Sequence, residues 1–129
     1  MKRMIPFLMA LLLLTECGAQ SEESTYRQIN AEEAAAMMEE ESGYLILDVR
    51  TAEDFSEKHI PGAVNIPNET IGDQDIPELP DKEQLILVYC RSGNRSKQAS
   101  EKLVKLGYTN IVEFGGINDW TGETVSGAS

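Results

Sequence analysis

The chain has 129 residues, 41% of them hydrophobic, with 11 Lys and Arg set against 22 Asp and Glu. That length supports one domain with its own core, and the composition is that of a globular protein rather than a disordered or fibrous one. The formal net charge of −11 excludes nucleic acid as a partner, because its phosphates would be repelled; the acids are scattered over many segments and read as a solvated surface.

Lys2 and Arg3 precede an apolar run at 5–14. The run is too short to span a bilayer and suits the core of a signal peptide, which places the signal at 1–19. Two readings of its end stay open. Cys17-Gly18 after Leu14-Thr15 resembles a bacterial lipoprotein signal, in which the cysteine becomes the lipidated N-terminus, although Glu16 stands where a small residue is usual. Ordinary cleavage after Ala19 is the competing reading. Either one implies an exported protein, periplasmic or at the cell surface, and the first, which is favoured, makes Cys17 a membrane tether. Residues 20–25 are polar and acidic and form a tether. With only Cys17 and Cys90 in the chain, no disulfide framework can be built.

From residue 26 to 123 the pattern is that of a single domain. A short strand at 26–29 leads to Asn30, which caps a helix with Glu33 in capping-box position; Ala34, Met37 and Met38 form its apolar stripe. Residues 44–49 make an apolar strand of the kind buried on both faces of a parallel sheet. Thr51 and Asp54 repeat the capping-box spacing and open a short helix to Lys58, with Phe55 facing the core. Pro61-Gly62 turns the chain into a brief strand at 63–66, which Pro67 stops. The stretch 68–82 is loop-like, with room for one helical turn. Residues 85–89 form the central strand, and Ala99, Leu103 and Leu106 recur at helical spacing on a helix at 96–106, with Gly107 beyond its end. Residues 111–114 make the last strand, Gly115-Gly116 turns into a short helix ending near Trp120, and 124–129 is a frayed, flexible tail. Strands alternating with helices imply a three-layer α/β domain with a mostly parallel central sheet.

Between the central strand and its helix lies Cys90-Arg91-Ser92-Gly93-Asn94-Arg95-Ser96. Cys90 is therefore at the carboxyl end of a strand, where such sheets bind ligands, and next to a helix N-terminus, which attracts anions. Gly93 lets the backbone turn tightly, Ser92, Gly93 and Asn94 supply amides, and Arg91 and Arg95 add positive charge. These surroundings favour a thiolate, so the loop reads as a nucleophile set for an anionic substrate. Asp48 and Arg50 read as a structural pair in a supporting role. His59, the sole histidine, reads as a turn-packing residue more than a general base. Neither metal-ligand spacing nor a nucleotide-binding motif appears, so no cofactor is expected.

The loop resembles the active-site loop of single-domain rhodaneses, the thiosulfate sulfurtransferases. Asp48-Val49-Arg50 with the nine residues at 59–67 is similar to that family's first signature, and Gly115-Gly116-Ile117-Asn118-Asp119-Trp120 to its closing turn. The resemblance implies the rhodanese-like fold. It also implies a catalytic Cys90 that takes sulfur from a small anionic donor, forms a persulfide, and passes the sulfur to a thiophilic acceptor such as cyanide or a thiol. Arg91, Ser92, Gly93, Asn94, Arg95 and Ser96 would bind the substrate, and the protein would act as a monomer. Two alternatives stand beside this one. The first is a module that carries sulfur or docks a partner without turnover. The second is a phosphatase or arsenate reductase, whose similar loop has five residues between Cys and Arg where this one has four, 91–94.

Overall fold

A computed structural model describes residues 25–127; the signal segment 1–19, Cys17 and most of the tether lie outside the described residues. The apolar runs become five strands: β1 (Arg27–Gln28), β2 (Leu45–Asp48), β3 (Val64–Asn65), β4 (Ile86–Cys90) and β5 (Ile111–Gly116). They form one sheet in the order β1-β5-β4-β2-β3, and every neighbouring pair is parallel. β4 lies at its centre and all five of its residues are buried.

Alternation along the strands divides the core in two. Ile86, Val88 and Cys90 of β4 pack with Ala99 and Leu103 of helix α3 (Asn94–Lys105). Leu87 and Tyr89 face the other way. They pack with Ala34 of α1 (Ala31–Glu40) and Phe55 of α2 (Ala52–Glu57). Helices on both faces complete the expected three-layer α/β architecture.

The caps explain where helices begin. Asn30 and Glu33 make the reciprocal capping box, at 2.7 and 2.9 Å, which satisfies two otherwise orphaned amides. At α2 only half of the expected box forms. Thr51 Oγ1 accepts from the Asp54 amide at 3.1 Å, while the Asp54 carboxylate points to Arg91. Asp is one methylene shorter than the Glu that usually closes such a box.

Three boundaries differ from expectation. Helix α3 starts at Asn94, two residues early, because Gly93 serves as its N-cap with a left-handed φ of 117°. β5 runs on to Gly116, beyond 114, since Gly116 still pairs with Cys90. The tail does not fray where it is described: Val125 forms an antiparallel bridge with His59, and the Gly127 amide donates to Ser56 O at 2.7 Å. Those backbone bonds hold a segment whose side chains offer little packing.

The loop at 68–82 contains one turn, the 3-10 helix Asn68–Thr70, and contributes buried Ile71 and Leu79 to the α3 face. Trp120 is half-buried against Phe114 rather than fully in the core.

Candidate active site

β4 delivers Cys90 to the carboxyl edge of the sheet, on the α3 face. The thiol is 2% exposed. The chain then reverses within three residues to enter α3, and the sharpness of that turn requires Gly93: its φ lies in the region that L side chains rarely adopt, while the space around it is ordinary. The reversal brings the Gly93 amide within 2.9 Å of Cys90 Sγ, to which it donates. Ser96, in the first turn of α3, sits 3.4 Å from the same sulfur. An N–H aimed at sulfur from a helix N-terminus is a donor that an anionic sulfur can accept.

Cys90 opens onto a cavity of about 320 Å³ lined by Glu69, Arg91, Ser92, Asn94, Arg95 and Gln98. The fold thus gathers all of the expected loop residues around the sulfur: Arg91, Ser92, Asn94 and Arg95 at the cavity, Gly93 and Ser96 beneath it. The two arginines do not point at the sulfur, however. Arg95 Nε donates to Glu69 at 2.9 Å, and Arg91 reaches Asp54 at 3.4 Å. The Arg95–Glu69 pair is exposed and the Arg91–Asp54 pair is long, so both are weak, and an arriving anion can compete for either guanidinium. The Glu69 carboxyl is held below its ordinary value by a backbone hydrogen bond and, against an opposing effect of burial, by Arg95.

Asp48 and Arg50 are the structural pair expected. Their side chains are 0% and 5% exposed and meet at 2.7 Å. Arg50 also donates from its backbone to Asp48 Oδ1 at 2.9 Å and from Nη2 to Lys58 O at 2.6 Å. Burial opposes the charge of Arg50, but Asp48 outweighs it and the guanidinium is held above its usual value. The pair ties the end of β2 to the start of the 59–67 segment. Tyr89, beside Cys90, is pushed upward by burial and then by Asp48; its hydroxyl accepts from the Ile60 amide at 3.1 Å. His59 is buried, stacks on Phe55 at 3.7 Å and bonds Phe55 O through Nδ1 at 2.8 Å, which is packing. Among the described residues no group of His, Cys, Asp and Glu is placed to hold a metal.

Sequence reasoning passed over the part of the site that β5 supplies. An irregular register between Val88 and Cys90 puts one extra residue on β5, a bulge of the kind found beside active sites. It seats Gly116 directly against the cysteine loop. A Cβ at Gly116 would collide with the Arg91 carbonyl and come within 2.5 Å of Ser92 N. The Asn118 amide donates to that same carbonyl at 3.1 Å. Here glycine is needed for space and not for φ, which is −142°.

Comparison with known proteins agrees with this geometry. The family model described as a rhodanese-like domain matches residues 30–123. The chain is 38% identical over 73 residues to thiosulfate sulfurtransferase PspE of Escherichia coli strain K12, a match covering 57% of this chain and 70% of that protein. It is 39% identical over 77 residues to adenylyltransferase and sulfurtransferase uba4 of Ogataea parapolymorpha, but spans only 20% of that longer protein. A solved structure of an E. coli rhodanese with anions superposes with a TM-score of 0.60 at 36% identity, covering 65% of this chain and 99% of that one. A cysteine at a strand end, an amide directed at its sulfur, and these matches together place the chain in the rhodanese-like domain family.

Proposed function

We propose that this protein is a thiosulfate sulfurtransferase that works through a persulfide on Cys90. The observation that carries the reading is Cys90 Sγ at a cavity lined by Arg91 and Arg95, accepting the Gly93 amide at 2.9 Å. In the first half-reaction the thiolate attacks the outer sulfur of thiosulfate. The sulfur–sulfur bond of the donor breaks, sulfite leaves with its electron pair, and the transferred sulfur stays on Cys90 as a persulfide anion. Arg91 and Arg95 leave their carboxylate partners to meet the donor's oxygens. Sulfite is a stable anion, so no general acid is needed to expel it. In the second half-reaction an acceptor such as cyanide attacks the outer sulfur, and the Cys90 thiolate is the leaving group.

Similarity to PspE, a named thiosulfate sulfurtransferase, supports thiosulfate as the donor class. The test is thiocyanate production from thiosulfate and cyanide by the wild type and Cys90→Ser. The proposal expects turnover that the variant lacks entirely; equal turnover in both would overturn it.

A further inference from the structure

Glu113 is a buried carboxylate that the proposed reaction does not use. It lies on β5, is 2% exposed, and makes no salt bridge among the described residues. Its strand neighbours Val112 and Phe114 point into the opposite face of the sheet, so Glu113 shares the α3 face with Cys90. There Oε2 accepts from Ser96 Oγ at 2.5 Å and from the Gly115 amide at 2.9 Å, and Oε1 accepts a longer bond from Gln28 at 3.4 Å.

The direction of the Ser96 bonds follows from counting protons. A serine hydroxyl has one. Three oxygens that can only accept surround it: Glu113 Oε2, Gly93 O at 3.0 Å and Gly115 O at 3.3 Å. The carboxylate is nearest and charged, so the proton is directed there. A lone pair of Ser96 Oγ is then left for the thiol proton of Cys90, at a sulfur–oxygen separation of 3.4 Å. The thiol, the hydroxyl and the carboxylate form one chain of like-directed hydrogen bonds, S–H to O–H to carboxylate.

We infer that Glu113 is the proton acceptor for Cys90, reached through the Ser96 hydroxyl. The thiol proton passes to Ser96 Oγ while the Ser96 proton passes to Glu113. The products are a thiolate, a neutral carboxyl group, and a serine whose hydroxyl now donates back to sulfur. Charge moves from carboxylate to sulfur and none is created. When the acceptor removes the sulfane sulfur and the thiolate reappears, the proton returns by the same route. Since Glu113 holds no cation in an ion pair, its neutral form breaks none.

Other groups face this chain. Tyr26, ahead of β1, has its phenol pushed upward by burial, then by Glu101 and Glu113. Lys97 of α3 shares with Glu113 a second cavity, on whose wall Glu32, Glu33 and Asp119 also stand. On the sulfur side, Arg91, Arg95 and Glu69 flank the first cavity. None of these bridges Cys90 to Glu113 as Ser96 does.

The inference rests on the sulfurtransferase reading, but its test does not need sulfur transfer. The rate of alkylation of the full chain by iodoacetamide is followed against pH for the wild type, Glu113→Gln, Ser96→Ala and the double variant, with thermal melts to confirm folding. A relay predicts that the wild type keeps reacting well below the thiol's own midpoint, because Ser96 and Glu113 take the proton as sulfur attacks, and that each single variant loses about tenfold of that low-pH rate. It also predicts that the double variant matches the singles, because either change breaks the same path. Simple electrostatics predicts the reverse for Glu113→Gln. Removing a nearby negative charge favours the thiolate, lowers the midpoint and speeds alkylation. That result, or a Ser96→Ala profile identical to wild type, overturns the relay whether or not thiosulfate proves to be a substrate.

Discussion

Replacing Gly116 by alanine adds one carbon on β5, outside the cysteine loop itself, and should disable the site. The added methyl has no open space. It would collide with the Arg91 carbonyl and stand 2.5 Å from Ser92 N, whereas real Cβ atoms essentially never approach within 3.0 Å of such atoms. Both obstacles are backbone, so the cysteine loop must retreat from β5 by about 1 Å, a displacement able to cost on the order of 100-fold in rate at a catalytic centre. It would also loosen the Asn118–Arg91 hydrogen bond and move the Gly93 amide relative to Cys90. Overpacking of this kind costs about 1–3 kcal/mol in stability, which a domain with a buried central strand should survive. The assay is kcat/KM for thiocyanate formation, paired with a thermal melt on the same sample. A folded Gly116→Ala protein with wild-type kcat/KM would refute the idea that β5 sets the position of the loop.

The remaining expectations concern the rim, the support and the chemistry. Glu69→Gln should free Arg95 for the anion and lower KM for thiosulfate by up to about fivefold, the range of an exposed pair, with kcat unchanged; steady-state kinetics at low ionic strength would show it. Asp48→Asn leaves Arg50 buried without its countercharge and should destabilise the domain by about 3–5 kcal/mol, read as a fall in melting temperature of more than about 10 °C. Four residues between Cys90 and Arg95 make a small cradle, and the loop offers no evident acid for an alkoxide leaving group. Hydrolysis of an aryl phosphate should therefore be negligible beside sulfur transfer, and one glycine inserted between Gly93 and Asn94 should impair the transfer.

The parts of this molecule that were legible in the sequence are those that rest on local chemistry. The Asn30–Glu33 box, the apolar run at 85–89 and the turn forced by Gly93 each depend on residues a few positions apart. The alternation of strands and helices then fixes the α/β class through chain connectivity. What stayed hidden depends on neighbours distant in sequence. That Arg95 faces Glu69 and Arg91 faces Asp54 could not be read from the loop, because nothing local says which acid the fold carries to its rim. The contribution of β5 was hidden for a related reason: a bulge is set by pairing, and the space limit on Gly116 comes from a loop more than twenty residues earlier in the chain. One signal was there to find. Glu113 is the only charged residue in the otherwise apolar run at 111–114, and a carboxylate in a strand buried on both faces is rarely without a purpose.

The central claim is that Cys90 accepts and surrenders a sulfur atom, and intact-protein mass spectrometry tests it most directly. After thiosulfate treatment and removal of excess donor, the protein should gain the mass of one sulfur atom, located on the peptide that contains Cys90. Cyanide should then remove that mass and release one thiocyanate per chain. An unchanged mass after thiosulfate, or a gain that Cys90→Ser retains, would contradict the account.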